Sequence, residues 1–194
     1  MSGEHGELPV AARVRRLEER LIAAGLATDA EFDEILERVF TSASPVNGAR
    51  MVARAWKDPG YRDRLLADGN AAAAELGFGA GAKGYLLTAV ENTPSVHNMI
   101  VCTLCSCYPT ALLGPSPSWY KSFAYRSRAV REPRAVLAEF GLELPDSTEI
   151  RVWDANSEAR YLVLPLPAEG ADEMGESELA SLVTRNGLIG TAVR

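Results

Sequence analysis

All three cysteines of this 194-residue chain fall within six positions, as Cys102, Cys105 and Cys107 of the run Val101-Cys102-Thr103-Leu104-Cys105-Ser106-Cys107-Tyr108-Pro109. For three sulfurs at this spacing to surround one ion, the backbone has to fold sharply between them. The last two lie so close that the peptide groups of Ser106 and Cys107 must sit beside any metal both thiolates hold. That closeness argues against an ordinary zinc site, which takes four separate side chains. His97, five residues before Cys102, is in reach of a three-sulfur, one-nitrogen zinc centre. Iron–sulfur ligation usually wants a fourth cysteine, and the chain has none. The bland alternative is three buried cysteines acting as small apolar residues. Clustering this tight speaks against it, because core cysteines scatter.

The charge balance narrows the classes further. A net charge of −6 and a pI of about 5.1 leave no basic footprint, so nucleic acid is not an expected partner. No apolar run approaches a membrane span, and MSGEHGELPV lacks the basic and apolar regions of a signal peptide, so a cytoplasmic protein is expected. Three cysteines in one short run make no disulfide framework and fit a reducing compartment. At 47% hydrophobic, the chain can bury one main core, with room for an appendage.

Val10, Val14, Leu17 and Leu21 recur at helical spacing, and Gly25 ends that helix. Thr28 followed by Glu31 reads as a capping box for a second helix with Phe32, Ile35, Leu36 and Val39 on one face. These narrow stripes have little nearby to pack on, so residues 1–45 read as an arm and 46–194 as the main domain. Ser42 to Gly48 is the best boundary. A helix is predicted from about Ala49 to Lys57. Asp58-Pro59 opens another that Gly69 closes, and Asn70 caps a short third that Gly77 stops. Gly77 to Gly84 is a loop. Tyr85–Val90 and Val96–Val101 read as strands, the second leading straight into the cysteines. Beyond them, 119–130 and 133–140 read as helices, 149–154 and 160–164 as strands, and a last helix begins near Ser177 and ends near Asn186-Gly187. This order predicts an α+β domain and not a doubly wound one.

His97 reads foremost as a strand histidine hydrogen-bonded within the fold. Arg126, Arg128, Arg131 and Arg134 read as a solvated or salt-bridged helix face. Trp119 and Tyr120 read as core. Glu91-Asn92-Thr93-Pro94 reads as a turn between strands whose polar groups brace the cysteine loop.

The run VCTLCSCYP resembles the metal-binding claw of nitrile hydratase α subunits. The resemblance extends over residues 45–192, through Trp56-Lys57-Asp58-Pro59, Glu91-Asn92-Thr93-Pro94, Pro117-Ser118-Trp119-Tyr120-Lys121-Ser122, Val130-Arg131-Glu132-Pro133-Arg134, Glu149-Ile150-Arg151-Val152-Trp153-Asp154 and Arg160-Tyr161. It implies an α-β-β-α layered domain behind an arm that wraps a β-type subunit. It implies one metal held by Cys102, Cys105, Cys107 and the deprotonated backbone nitrogens of Ser106 and Cys107, with Cys105 as sulfinic and Cys107 as sulfenic acid. Ionised amides are worthwhile only for an ion of high charge, which points to Co(III) or Fe(III), and Thr103 follows the cobalt pattern. The implied reaction hydrates a nitrile to its amide at one open position, with Cys107 and Ser106 as catalytic residues. A metal-delivering activator is a further implied partner. Thiocyanate hydrolase, a close relative, is the competing activity, and a structural zinc module is the competing class.

Two departures from the family pattern bear on substrate. A tryptophan of the pocket wall is here Thr110, which should enlarge the cavity, and a glutamine is here Lys83. Thr110 and Lys83 are therefore the expected substrate contacts. A bulky heteroaromatic or nucleoside nitrile is the expected substrate.

Overall fold

The computed structural model describes residues 9–78 and 85–194 and, within them, every side chain except those of 38–41. By its contacts the chain divides into Met1–Ser42 and Ala43–Arg194. No described helix is long and apolar enough to cross a membrane.

The first unit holds α1 (Val10–Ala23) and α2 (Asp29–Ser42). As expected, α1 stops at Gly25, whose φ of 67° lets the Leu26 N–H turn back to the carbonyl of Leu21. The capping box also forms: the Thr28 N–H donates to Glu31 Oε2 at 2.8 Å, and the Glu31 N–H donates to Thr28 Oγ1 at 3.2 Å. Helix α1 buries none of its residues, and Val10, Val14, Leu17, Ile35 and Leu36 are all exposed. Val39 lies outside the described side chains.

The second unit begins with α3 (Pro45–Lys57), four residues earlier than the sequence suggested. Ser44 caps it, and Pro45, whose fixed φ suits a first helical turn, starts it inside the stretch read as a boundary. Asp58 caps α4 (Pro59–Ala67) as expected, accepting from the Tyr61 N–H at 3.0 Å. The next cap is a correction. Asp68, not Asn70, accepts at the head of α5 (Gly69–Glu75). Asn70 instead accepts from the Leu87 N–H at 2.6 Å and donates to the Tyr85 carbonyl, tying α5 to the first strand. Gly77, with φ 78°, ends α5; residues 79–84, including Lys83, lie outside the described residues.

Four strands follow the expected positions: β1 (Leu86–Glu91), β2 (Val96–Val101), β3 (Glu149–Asp154) and β4 (Ala159–Leu164). They form two parallel pairs, β1 with β4 and β2 with β3. Sequence neighbours β1 and β2 belong to different pairs, and the turn at 92–95 passes the chain between them. Strand β2 is buried at every position but its first, as befits a parallel strand covered on both faces. Helices α4 and α5 pack on β1, α8 (Pro133–Glu139) on β3 and α10 (Arg185–Ile189) on β4, while β2 touches β4. The architecture is α+β.

Two further helices differ from expectation. The stretch 119–130 is broken: a 3-10 turn (Ser118–Lys121) stops at Ser122, whose hydroxyl caps α7 (Phe123–Arg128). Likewise α9 (Glu176–Leu182) does not run on to Gly187. Thr184 caps a separate α10, and Gly190 ends it in the left-handed region at φ 87°. A side chain at Gly190 would collide with the backbone of Asn98 and Met99, so strand β2 and the end of α10 meet there backbone to backbone.

A buried polar network locks that junction. His97 Nε2 donates to the Gly190 carbonyl at 2.8 Å, and the Asn92 amide donates to His97 Nδ1 at 3.2 Å, an assignment that leaves the ring neutral. Asn92 Oδ1 accepts from the Asn98 N–H, and Asn98 in turn accepts from Trp153 Nε1 at 2.8 Å. Burial holds the His97 ring below its ordinary value of 6.5. The unfolded chain therefore binds the proton more readily, so this residue's contribution is full above about pH 6.5 and is lost as pH falls through the lower folded value. Urea denaturation at about pH 7.5 and about pH 5.5 should show stability falling with acid in the wild type, and falling less in His97→Gln.

Candidate metal centre

Strand β2 ends at Val101, and the cysteine loop begins at the next residue. Cys102 is fully buried, Cys107 half-buried and Cys105 exposed. Their sulfurs lie within 4.8 Å of one another, with Cys102 Sγ 3.4 Å from Cys105 Sγ and Cys105 Sγ 3.1 Å from Cys107 Sγ. Two sulfurs each about 2.3 Å from one metal are separated by about 3.3 Å at a right angle and about 3.8 Å at the tetrahedral angle. The two shorter spacings are thus nearer the right-angle value than the tetrahedral one. The donor set fits a thiophilic metal, and the exposed Ser106 between Cys105 and Cys107 lies on the same rim.

The loop's backbone is tied down on several sides. Register places Val101 opposite Asp154, so the end of β3 stands beside the start of the loop. The Asp154 carboxylate accepts from the Thr103 N–H at 2.8 Å and from the Thr103 hydroxyl at 2.5 Å. Arg126, from α7, donates to the carbonyls of Cys102 at 3.1 Å and Thr103 at 2.7 Å. The Tyr120 hydroxyl donates to the Cys107 carbonyl, and the Tyr125 hydroxyl to that of Ile100. Both phenols sit in an edge-to-face cluster with Trp119 and Phe140, where burial pushes their ionisation far up and keeps them donors. Trp119 and Tyr120 are core, as expected.

Asp154, Arg126 and Tyr120 were not singled out as part of the site. Arg126 is one of four arginines in a run read as a solvated or salt-bridged face; Arg128 fits that reading, pairing with Glu132 and Glu139, whereas Arg134, like Arg126, departs from it and donates to backbone carbonyls, those of Leu144 and Thr148. Only the fold tells which arginine of the run reaches the cysteine loop. For Asp154 a signal existed: an acidic residue at the carboxyl end of a strand sits where parallel strands present functional groups.

His97 does not join the sulfurs, since both its ring nitrogens are engaged in the network around Gly190. Thr110 is exposed as the first residue of α6 (Thr110–Leu113), with its hydroxyl 3.5 Å from the Tyr108 carbonyl. Arg160 lies over the Tyr85 ring at 4.9 Å and leaves its buried Nε without a partner among the described residues. Its charge pulls the Cys107 thiol down, but burial and the contact with Cys105 prevail and push that thiol up to about 12. Hydrogen bonds from Cys107 and Cys102 lower the exposed Cys105 to about 7.

Residues 8–192 match the family model described as nitrile hydratase, alpha chain. The cobalt-containing nitrile hydratase subunit alpha of Pseudonocardia thermophila is 49% identical, over 97% of this chain and 93% of its own length. The thiocyanate hydrolase subunit gamma of Thiobacillus thioparus is 46% identical over 77% of this chain and 65% of its length. Among solved structures, a double mutant of the Fe-type nitrile hydratase from Comamonas testosteroni Ni1 superposes with a TM-score of 0.89 at 41% identity, covering 95% of this chain and 91% of that one.

The unequal thiols give an ordered reactivity. With metal withheld, a limiting alkylating agent near neutral pH should modify Cys105 first, at least about tenfold faster than buried Cys102, because the exposed thiolate is the nucleophile. Peptide mass mapping reads the order, and equal labelling of all three cysteines contradicts the described geometry.

Proposed function

The chain belongs to the nitrile hydratase α-chain family, and from that premise we propose that it is the metal-binding α subunit of a cobalt nitrile hydratase. The observation that carries this reading is the trio of sulfurs gathered within 4.8 Å of one another at the end of a buried parallel strand. Cys102, Cys105 and Cys107 would hold the ion, together with the backbone nitrogens of Ser106 and Cys107. Thr103 and the cobalt-containing relatives support Co(III). Bound there, the ion supplies a Lewis acid that polarises the nitrile carbon or a water.

The chain's own residues have three tasks in this reading. Asp154, Arg126 and Tyr120 keep the loop closed on the ion. The Ser106 hydroxyl, exposed on the rim, orients water or substrate by hydrogen bonding. Cys107, carried as a sulfenate once a two-electron oxidant such as dioxygen has oxidised it beside Cys105, would offer an oxygen that takes a water's proton as that water's oxygen bonds to the nitrile carbon, the proton then passing to the nitrogen. The atoms of one water and one nitrile are conserved in the amide.

Assembly with a β-type subunit follows from what this chain leaves uncovered. Leu104 is 83% exposed and Phe123 is 82% exposed, one inside the loop and one on the turn before Arg126. Exposed apolar side chains of this size, one in the loop and one at the start of the helix that carries Arg126, suit a surface made to be covered. The open stripes of α1 and α2 suit the same partner, which the arm clasps. Cationic donors for the oxidised sulfurs come from that subunit, since desolvated anions require fixed partners.

Thr110, three residues beyond Cys107, sets the substrate range. A threonine in place of an aromatic of roughly 150–250 Å² leaves room for a heteroaromatic or nucleoside nitrile.

The complex of this chain with its β-type subunit should contain one cobalt per chain and hydrate nitriles, and each of Cys102→Ala, Cys105→Ala and Cys107→Ala should remove metal and activity together. Zinc with unmodified thiols, or turnover of thiocyanate but of no nitrile, sinks the assignment.

Specificity is tested separately, by kcat/KM for acrylonitrile, benzonitrile and a cyano-nucleoside. The wild type should favour the nucleoside, and Thr110→Trp should reverse that preference by about tenfold or more. Unchanged ranking in Thr110→Trp shows that Thr110 does not shape the pocket.

A further inference from the structure

We propose that Asp154 and Arg126 are positioning residues that form a clasp on the first turn of the cysteine loop and fix Cys102 in its ligating place before any metal arrives. The proposal rests on the metal-centre reading for its purpose, but not for its geometry.

The two side chains grip one short piece of backbone from opposite sides in hydrogen-bonding sense. Asp154 takes both donors of Thr103, the N–H at 2.8 Å and the hydroxyl at 2.5 Å. Arg126 donates to the two carbonyls that flank the Thr103 Cα, those of Cys102 at 3.1 Å and Thr103 at 2.7 Å. All four bonds carry an ionic partner, and such bonds are stronger than neutral ones. Neither side chain has to be ordered by the loop. Asp154 is placed by the β2–β3 register, which continues to the Ala155 N–H donating to the Val101 carbonyl at 2.7 Å. Arg126 is placed by α7, whose Tyr125 is anchored to β2 through the Ile100 carbonyl at 2.6 Å. The clasp therefore hangs from two elements that are fixed independently of the sulfurs.

Its reach explains the contrast among the cysteines. Cys102, bracketed by the clasp, is fully buried; Cys105 and Cys107, beyond it, are the accessible ones. Metal arriving at the loop then meets Cys102 already seated by the clasp, with the more accessible Cys105 and Cys107 beside it. Thr103 is then a structural part of the site, because its hydroxyl is the second handle on the Asp154 carboxylate. A serine keeps that handle and a valine of the same shape loses it.

The test uses the complex with the β-type subunit, expressed without cobalt and with limiting cobalt. Without cobalt, amide exchange in the peptide spanning 101–105 should be at least about tenfold faster in Asp154→Ala than in wild type. With limiting cobalt, Asp154→Ala, Arg126→Met and Thr103→Val should each lower cobalt per chain by about tenfold or more and shift the sulfur-to-metal absorption band, while Thr103→Ser stays near wild type. Unchanged exchange in Asp154→Ala, or Thr103→Ser behaving like Thr103→Val, overturns the clasp. A wild-type complex that takes up no cobalt overturns the functional reading instead, and the exchange arm still decides the clasp.

Discussion

Residues 102–107 belong to no helix or strand, so holding them in one conformation costs about 1–2 kcal/mol of backbone entropy per residue. Little within the loop offsets that: the Cys105 N–H donates to Cys102 Sγ at 3.3 Å, and three thiols brought together without a metal attract one another only weakly. The offset comes from the parallel pairing of β2 with β3. Strand β2 is buried along nearly its whole length, which fixes where the loop starts. The partner strand ends at the same level and presents Asp154 to the first turn. A one-residue slip would turn Asp154 to the other face and leave Thr103 without its acceptor. The same register carries Trp153 to the Asn98 amide, so the network that seats His97 and Gly190 depends on it too.

The charges around the loop are deliberately lopsided. Arg126 spends its guanidinium on two carbonyls, and Arg160 approaches Cys107 without outweighing the burial of that thiol. Under the proposed function the metal-bound sulfurs are ionised, and of the three only Cys105 is exposed to solvent in this chain. A β-type subunit that covered the loop, as we propose, would have to bring cations of its own, because desolvated anions need fixed partners.

How much of this the sequence disclosed depended on range. Strands β1–β4 were legible almost to the residue because β-branched runs between turn residues have few other fates, and the Asp58 and Thr28 caps because capping acts over three residues. Short-range rules failed where two signals competed. Asp68 and Asn70 both suit a cap, and the choice fell to Asp68 because Asn70 is needed by β1 across the α5 junction. The helix expected over 119–130 broke at Ser122, whose extended backbone and hydroxyl open α7 by accepting from the Tyr125 N–H, with Tyr120 on one side of the break reaching a loop carbonyl and Tyr125 on the other a strand carbonyl. The cysteine trio was plain in the sequence. Its supports, Asp154 and Arg126, lie 52 and 24 positions from Cys102, distances over which only the fold carries information.

The loop therefore has two faces with different owners. Its inner face is spoken for: Cys102, the carbonyls of Thr103 and Cys107 and the Thr103 side chain are all engaged by α7, β3 or the aromatic cluster. The outer face, carrying Leu104, Cys105 and Ser106, is exposed. A catalytic pocket needs walls that exclude water and fix orientation, and an exposed rim supplies neither. Under the proposed function, substrate selection would arise where this rim meets a second surface, and the exposed Thr110 at the head of α6 is the residue we propose for one wall. Strand register would then keep the sulfur geometry constant, while the covering surface could vary in shape without disturbing it.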